Sequence, residues 1–153
     1  MSTRYFRKEK GELVNLIDHT IEMIASNPNL RMYIGTDSQS YGDKTIFATC
    51  VVYRWSGLRG AHYIYIKDEV PRIKDEYMRL YQEGVKTLEI LAELDEIPIK
   101  VEGVEFDYAD VNKTISSQLV STFKGWCEGI GQKAVFKSGE MIATRAADKL
   151  VKK

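Results

Sequence analysis

The stretch Met32-Tyr33-Ile34-Gly35-Thr36-Asp37-Ser38-Gln39 carries an apolar run into an aspartate. A few polar residues follow, and Thr45 to Trp55 is again rich in β-branched and aromatic side chains. Two such runs flanking turn-forming residues predict paired strands over 31–37 and 45–55. A carboxylate on a buried strand costs several kcal/mol in lost hydration unless a positive group pairs with it. No Lys or Arg lies within five residues of Asp37, so the compensating charge has to arrive from elsewhere in the fold. A divalent cation shared with other carboxylates is one candidate.

Downstream, Ser56-Gly57-Leu58-Arg59-Gly60 reads as a turn, and His62 to Lys67 alternates as a third strand. A long helical pattern occupies about 73–95, with Pro98 after it. A fourth strand, 99–107, puts Ile99, Val101, Gly103, Glu105 and Asp107 on one face, and Val104 and Phe106 on the other. A helix over 110–128 ends at Gly129 and Gly131, Lys133 to Phe136 forms a short fifth strand, and Ser138 can cap a last helix over 140–152. Upstream, Leu13, Leu16, Ile17, Ile21 and Ile24 form one stripe of a helix over 10–26, stopped by Ser26-Asn27-Pro28-Asn29. Arg4, Arg7, Lys8 and Lys10 before it could touch a nucleic-acid backbone but read first as a solvated tail.

The order β-β-β-α-β-α-β-α predicts an α/β fold: a mixed five-stranded sheet, three antiparallel strands then parallel ones, flanked by helices. A single domain is expected over residues 1–153, with 1–29 a helical extension and 30–153 the core. A chain of 153 residues suits one hydrophobic core. No charged-then-apolar leader and no run of membrane-spanning length is visible, and Cys50 and Cys127 lack metal-type spacing. Together these point to a soluble cytoplasmic protein without a membrane partner. The N-terminal helix could pack on the domain or against a second copy, as a homodimer.

Net charge is zero, but unevenly spread. Residues 61–110 carry six basic against thirteen acidic side chains, and 111–153 carry eight basic against three acidic. An acidic centre followed by a basic third suits a cation-dependent enzyme acting on a polyanion, and equally suits solvated helix faces.

Three motifs add a resemblance. Thr36-Asp37-Ser38 precedes a turn and a long strand, Arg145-Ala146-Ala147-Asp148-Lys149-Leu150 lies in the last helix, and Asn112-Lys113-Thr114 lies between. In order and spacing, from about residue 30 to 150, the chain resembles the ribonuclease H-like superfamily. More narrowly it resembles an uncharacterised bacterial family of ribonuclease H-like nucleases. The resemblance implies a metal-dependent nuclease in which two Mg²⁺ or Mn²⁺ ions, held by acids, serve hydrolysis of a phosphodiester of nucleic acid, leaving 5′-phosphate and 3′-hydroxyl ends. The same resemblance allows a catalytically silent module that binds nucleic acid or a partner protein.

Onto that pattern Asp37 maps as the first-strand acid and Asp107 as the acid ending the fourth strand, with Asp110 left to cap the following helix. On a wheel of about 100° per residue, Ile73, Tyr77, Leu80, Leu88 and Leu91 share one face of the long helix. Glu83 and Glu76 border that face, while Glu89 and Glu93 fall on the wet side. The family's helix acid selects Glu83, which reads otherwise as a boundary glutamate. Asp148 matches the fourth acid, or is a solvent-facing residue bonded to Arg145 or Lys152. Substrate contacts are implied at Ser38, Gln39, Asn112, Lys113 and Lys137. Many relatives carry a histidine before the last helix; none follows His62 here, so Lys137 or Glu140 would have to serve. His19 and His62, without a partner at ligand spacing, read as structural.

Overall fold

In a computed structural model, residues 4–55, 60–97, 99, 101–108, 117–136 and 141–152 are described. Strands β1 (Tyr5–Lys8), β2 (Leu13–Asn15), β3 (Arg31–Tyr41), β4 (Lys44–Arg54), β5 (Ala61–Pro71), β6 (Gly103–Glu105) and β7 (Ala134–Val135) join helices α1 (Leu16–Ser26), α2 (Glu76–Leu94), α3 (Ser117–Gly129) and α4 (Ala143–Val151). All seven strands form one mixed sheet in the order β2-β1-β5-β4-β3-β6-β7. The expected five are its inner and right-hand members: β3, β4 and β5 antiparallel, with β6 and β7 parallel to β3.

The two further strands correct the reading of 1–29 as a helical extension. Tyr5–Lys8 and Leu13–Asn15 form a hairpin around Gly11, at φ +94, and β1 pairs with the edge of β5. Among the described residues of this stretch only 16–26 are helical, started by Asn15, whose side chain accepts from Asp18 N–H at 3.0 Å. The expected stripe is also rotated. Leu16, His19 and Thr20 are buried in α1, whereas Leu13 and Ile21 are exposed. Nor is Arg4 a solvated tail residue: its guanidinium bonds Glu93 at 2.9 Å and Glu89 at 3.5 Å on α2, which draws Glu93 off the wet face.

Alternation along β3 and β4 sorts the core into two layers. Met32, Ile34, Val51, Tyr53, Val104 and Phe106 face α1, α2 and α3. Ala48, Cys50 and Val52 face α4, with Ala143, Ala147 and Val151. The small residues there let the helix approach closely: a Cβ on Gly35 would lie 2.7 Å from Thr144 Cγ2 and 2.9 Å from its backbone nitrogen. On the other face a Cβ on Gly84 of α2 would lie 2.4 Å from the Phe123 ring of α3.

Strand β3 runs four residues past its expected end. It closes onto β4 through Gly42, at φ +56, and Asp43, so Tyr41 pairs with Lys44. Conversely the fourth strand, expected over 99–107, is regular only over Gly103–Glu105, and its last pairing is Glu105 with Gly35. Helix α2 matches the expectation closely, and α3 and α4 are described from 117 and 143. The proposed caps Asp110 and Ser138 lie outside the described residues. Among the described residues, no helix is long and apolar enough to cross a membrane.

Candidate active site

Asp37 sits in the middle of β3, at the point where its neighbour β6 has already ended. Asp37 lies two residues beyond Gly35, on the face of β3 that meets α4. Asp107 follows two residues after Glu105, the last paired residue of β6, and its charge acts on Asp37. From α4, Asp148 reaches the same place and shares a hydrogen bond with the Asp37 carboxyl. Burial, and then this hydrogen bond, push Asp37 up to about 7; the charges of Asp148 and Asp107 add to the rise, and the Ser38 backbone N–H opposes it. Asp148 moves the other way. Its half-exposed side chain pairs with Lys152 at 2.8 Å, which holds it below the usual carboxylate range. The two carboxyls are thus shifted in opposite directions, Asp37 upward and Asp148 downward.

On the opposite face of β3, α2 brings in Glu83. Ser38 Oγ donates to Glu83 Oε2 at 2.5 Å, and Thr36 Oγ1 bonds Thr87 Oγ1 at 2.8 Å and Thr49 Oγ1 at 2.9 Å. The two rungs fit because α2 runs opposite to β3. Two strand residues span about 6.7 Å, and the four helix residues from Thr87 back to Glu83 span about 6 Å. Hydroxyls at Thr36, Ser38 and Thr87 thus fix where Glu83 lies. It is only 3% exposed, and its Oε1 has no hydrogen-bond partner among the described residues. Burial, and the negative charges of Asp37 and Asp107, hold Glu83 well above the carboxylate range, against the pull of Ser38 and Arg79.

Arg79, one turn earlier on α2, is the positive group the sequence did not assign. Its Nη1 donates to Ser38 Oγ at 2.8 Å and stands 3.6 Å from Glu83 Oε2. The i, i+4 spacing of Arg79 and Glu83 was the available signal. Glu105 is a second residue whose role the sequence did not reveal. Buried to 1% exposure, it accepts from Ile142 N–H and Thr144 N–H, both at 2.9 Å, and so caps α4, whose own N-cap Ile142 offers no side-chain oxygen. That cap sets the height of α4 and with it the reach of Asp148.

The structure thus places Asp37 within electrostatic range of Asp148, Asp107 and Glu83, and Glu83 within range of Asp107, with Ser38 bonded to Glu83 and Gln39 on the strand beside it. Asn112, Lys113, Lys137 and Glu140 lie outside the described residues. Among the described residues, no group of three His, Cys, Asp or Glu is drawn tightly enough to hold one ion. The donor set nonetheless fits a hard cation. It is all carboxylate oxygen, it includes a buried oxygen without a partner among the described residues, and the charge of Asp107 adds to the proton affinity of both Asp37 and Glu83. The histidines are elsewhere: His19 Nε2 and His62 Nε2 meet at 2.9 Å between α1 and β5, a pairing across 43 residues that the spacing did not announce.

Comparison with known proteins adds one positive finding. A family model described as Ribonuclease H-like matches residues 12–152. Neither the curated proteins nor the solved structures give a match. The chain belongs to the ribonuclease H-like family.

Proposed function

From this membership of the ribonuclease H-like family we propose that the protein is a metal-dependent nuclease, hydrolysing phosphodiester bonds of nucleic acid at the Asp37 cluster. The observation that carries the reading is electrostatic. Burial raises both the part-buried Asp37 and the buried Glu83; the charge of Asp107 adds to each rise, that of Asp148 to the first and that of Asp37 to the second, and among the described residues Glu83 Oε1 has no partner. Such a cluster is expensive in the absence of cations, and perturbed acids of this kind mark functional sites.

Asp37, Glu83 and Asp107 would hold two Mg²⁺ or Mn²⁺ ions, and Asp148 would complete the set. When bound, the ions supply an activated water and compensate charge at the leaving oxygen of a phosphodiester. The chain's own contribution is orientation. Ser38 and Arg79 fix the Glu83 carboxylate, the Thr36–Thr87 bond fixes its helix, and Glu105 fixes the helix that bears Asp148. Asp148, half exposed and tied to Lys152, is the acid best placed to exchange a proton with solvent.

Asp37→Asn keeps the shape of the side chain and removes its charge. It should abolish Mn²⁺-dependent cleavage of labelled single-stranded, duplex and hybrid oligonucleotides while leaving the fold intact. Full activity in that variant ends the assignment. The silent binding module is the second reading, favoured by the looseness of the acid cluster and by histidines that sit away from it. It predicts no rise in thermal midpoint with Mn²⁺, whereas a cation site predicts a rise that Asp37→Asn removes.

A further inference from the structure

Ser38 is a wall shared by two sites of opposite charge. On one side its hydroxyl holds Glu83; on the other it opens, with Gln39 and Ser40, into a cleft of about 300 Å³. Arg72, Lys74 and Arg79 line that cleft against a single carboxylate, Glu76. Arg79 is engaged with Ser38, but among the described residues Arg72 and Lys74 make no ion pair, and both are exposed.

The segment that carries these cations is tied down. Arg72 N–H donates to Asp43 C=O at 2.7 Å, Arg72 Nη1 to Gly42 C=O at 2.7 Å, and Ile73 N–H to Thr45 Oγ1 at 3.0 Å. Thr45 Oγ1 also bonds Ser40 Oγ at 2.9 Å, so the β3–β4 turn and the entry to α2 form one framework. Uncompensated cations on an ordered backbone, beside a carboxylate cluster, make a bipolar surface.

We propose that this cleft is a subsite for a backbone phosphodiester of a nucleic-acid strand, with Arg72 and Lys74 as its principal contacts. It rests on reading the acid cluster as a phosphodiester site. Contacts of this kind position a strand without reading its sequence, so binding here is insensitive to base identity.

The test is direct binding in EDTA, where no cleavage occurs, of fluorescein-labelled 12-residue DNA and RNA strands. Lys74→Gln, and Arg72→Gln with Lys74→Gln, are compared with a control pair of equal charge change, Lys124→Gln with Lys133→Gln. Folding of each is checked by thermal midpoint. The Arg72/Lys74 pair should weaken binding about tenfold and lower the slope of log affinity against log salt by about one for each cation removed, and Lys74→Gln alone by about half that effect. The control pair should change little. Equal loss in both pairs, or none in the first, overturns the subsite. Mn²⁺ stabilisation of the parent, abolished by Asp37→Asn, is measured alongside. Metal stabilisation with an unaffected Arg72/Lys74 pair rejects the subsite alone; loss in that pair without metal stabilisation rejects the acid-site reading alone. A parent that binds neither strand rejects both.

Discussion

Between α1 and the sheet, Thr20 Oγ1 meets Tyr53 OH at 2.7 Å, His19 meets His62 at 2.9 Å, and His62 Nδ1 meets Glu9 at 3.2 Å. Around β3, between α2 and α4, by contrast, acids gather with like charge, one carboxylate oxygen is left without a partner among the described residues, and Asp37 is pushed up to about 7. Both clusters bury polar groups at junctions of the same sheet. In the first, complementary donors and acceptors meet and the burial cost is offset inside the protein. In the second, like charges meet and the offset must come from outside. A joint and a ligand site differ in that respect, and substitutions can expose the difference.

The largest contrast is expected from removing one group in each cluster. Asp37→Asn should cost cleavage on the order of a thousandfold or more, since a metal-ligand acid has no substitute nearby. It should also raise the stability of the metal-free protein, by about 1 kcal/mol. His19→Leu should do the reverse: cleavage per folded molecule is kept, while stability falls by about 1–3 kcal/mol as His62 loses its buried partner. Urea titrations of both variants without metal check this. If Asp37→Asn proves less stable than its parent, the acid cluster is a joint as well.

A change at Gly35 tests whether the site depends on how closely α4 approaches. An alanine there places its methyl 2.7 Å from Thr144 Cγ2 and 2.9 Å from the helix backbone, so α4 must shift. Overpacking of this kind costs about 1–3 kcal/mol. It also loosens the Glu105 cap and the Asp148–Asp37 hydrogen bond, so activity should fall about tenfold. A matched loss of stability with unchanged activity would separate α4 from the chemistry.

These contrasts also mark what the sequence could convey. Asp37 and the strand that bears it were readable, because a two-residue period assigns faces without any knowledge of neighbours. Helical period offered Glu83 and Glu76 alike and only the resemblance selected Glu83; the structure buries Glu83 and leaves Glu76 exposed. The hairpin of β1 and β2 was not: Leu13 and Val14 fit a helical stripe as well as a strand, and only pairing across the edge of β5 decides. The His19–His62 contact and the Glu105 cap join elements far apart in the chain, where local pattern carries no signal. The true length of β3 depended on recognising Gly42-Asp43 as a two-residue hairpin turn.

The smallest effect, and the one that separates the clusters by sign, is the response to acid. Asp37 in the folded protein titrates at about 7 rather than 3.8, so above pH 7 folding carries the full cost of its charge. As pH falls through that range the folded form takes up a proton before the unfolded chain does, and its stability rises until the unfolded carboxylate titrates as well. His19 behaves oppositely. Burial lowers it from 6.5, and His62 and Lys8 lower it further, with Glu22 opposing. Below about pH 6.5 the unfolded imidazole takes a proton that the folded one resists, and stability is lost. Between about pH 8 and 5, metal-free Asp37→Asn should therefore lose more stability than its parent, and His19→Leu less. Urea midpoints across that range read the two slopes, and a common slope for both variants would mean that the clusters do not differ in how their charge is compensated.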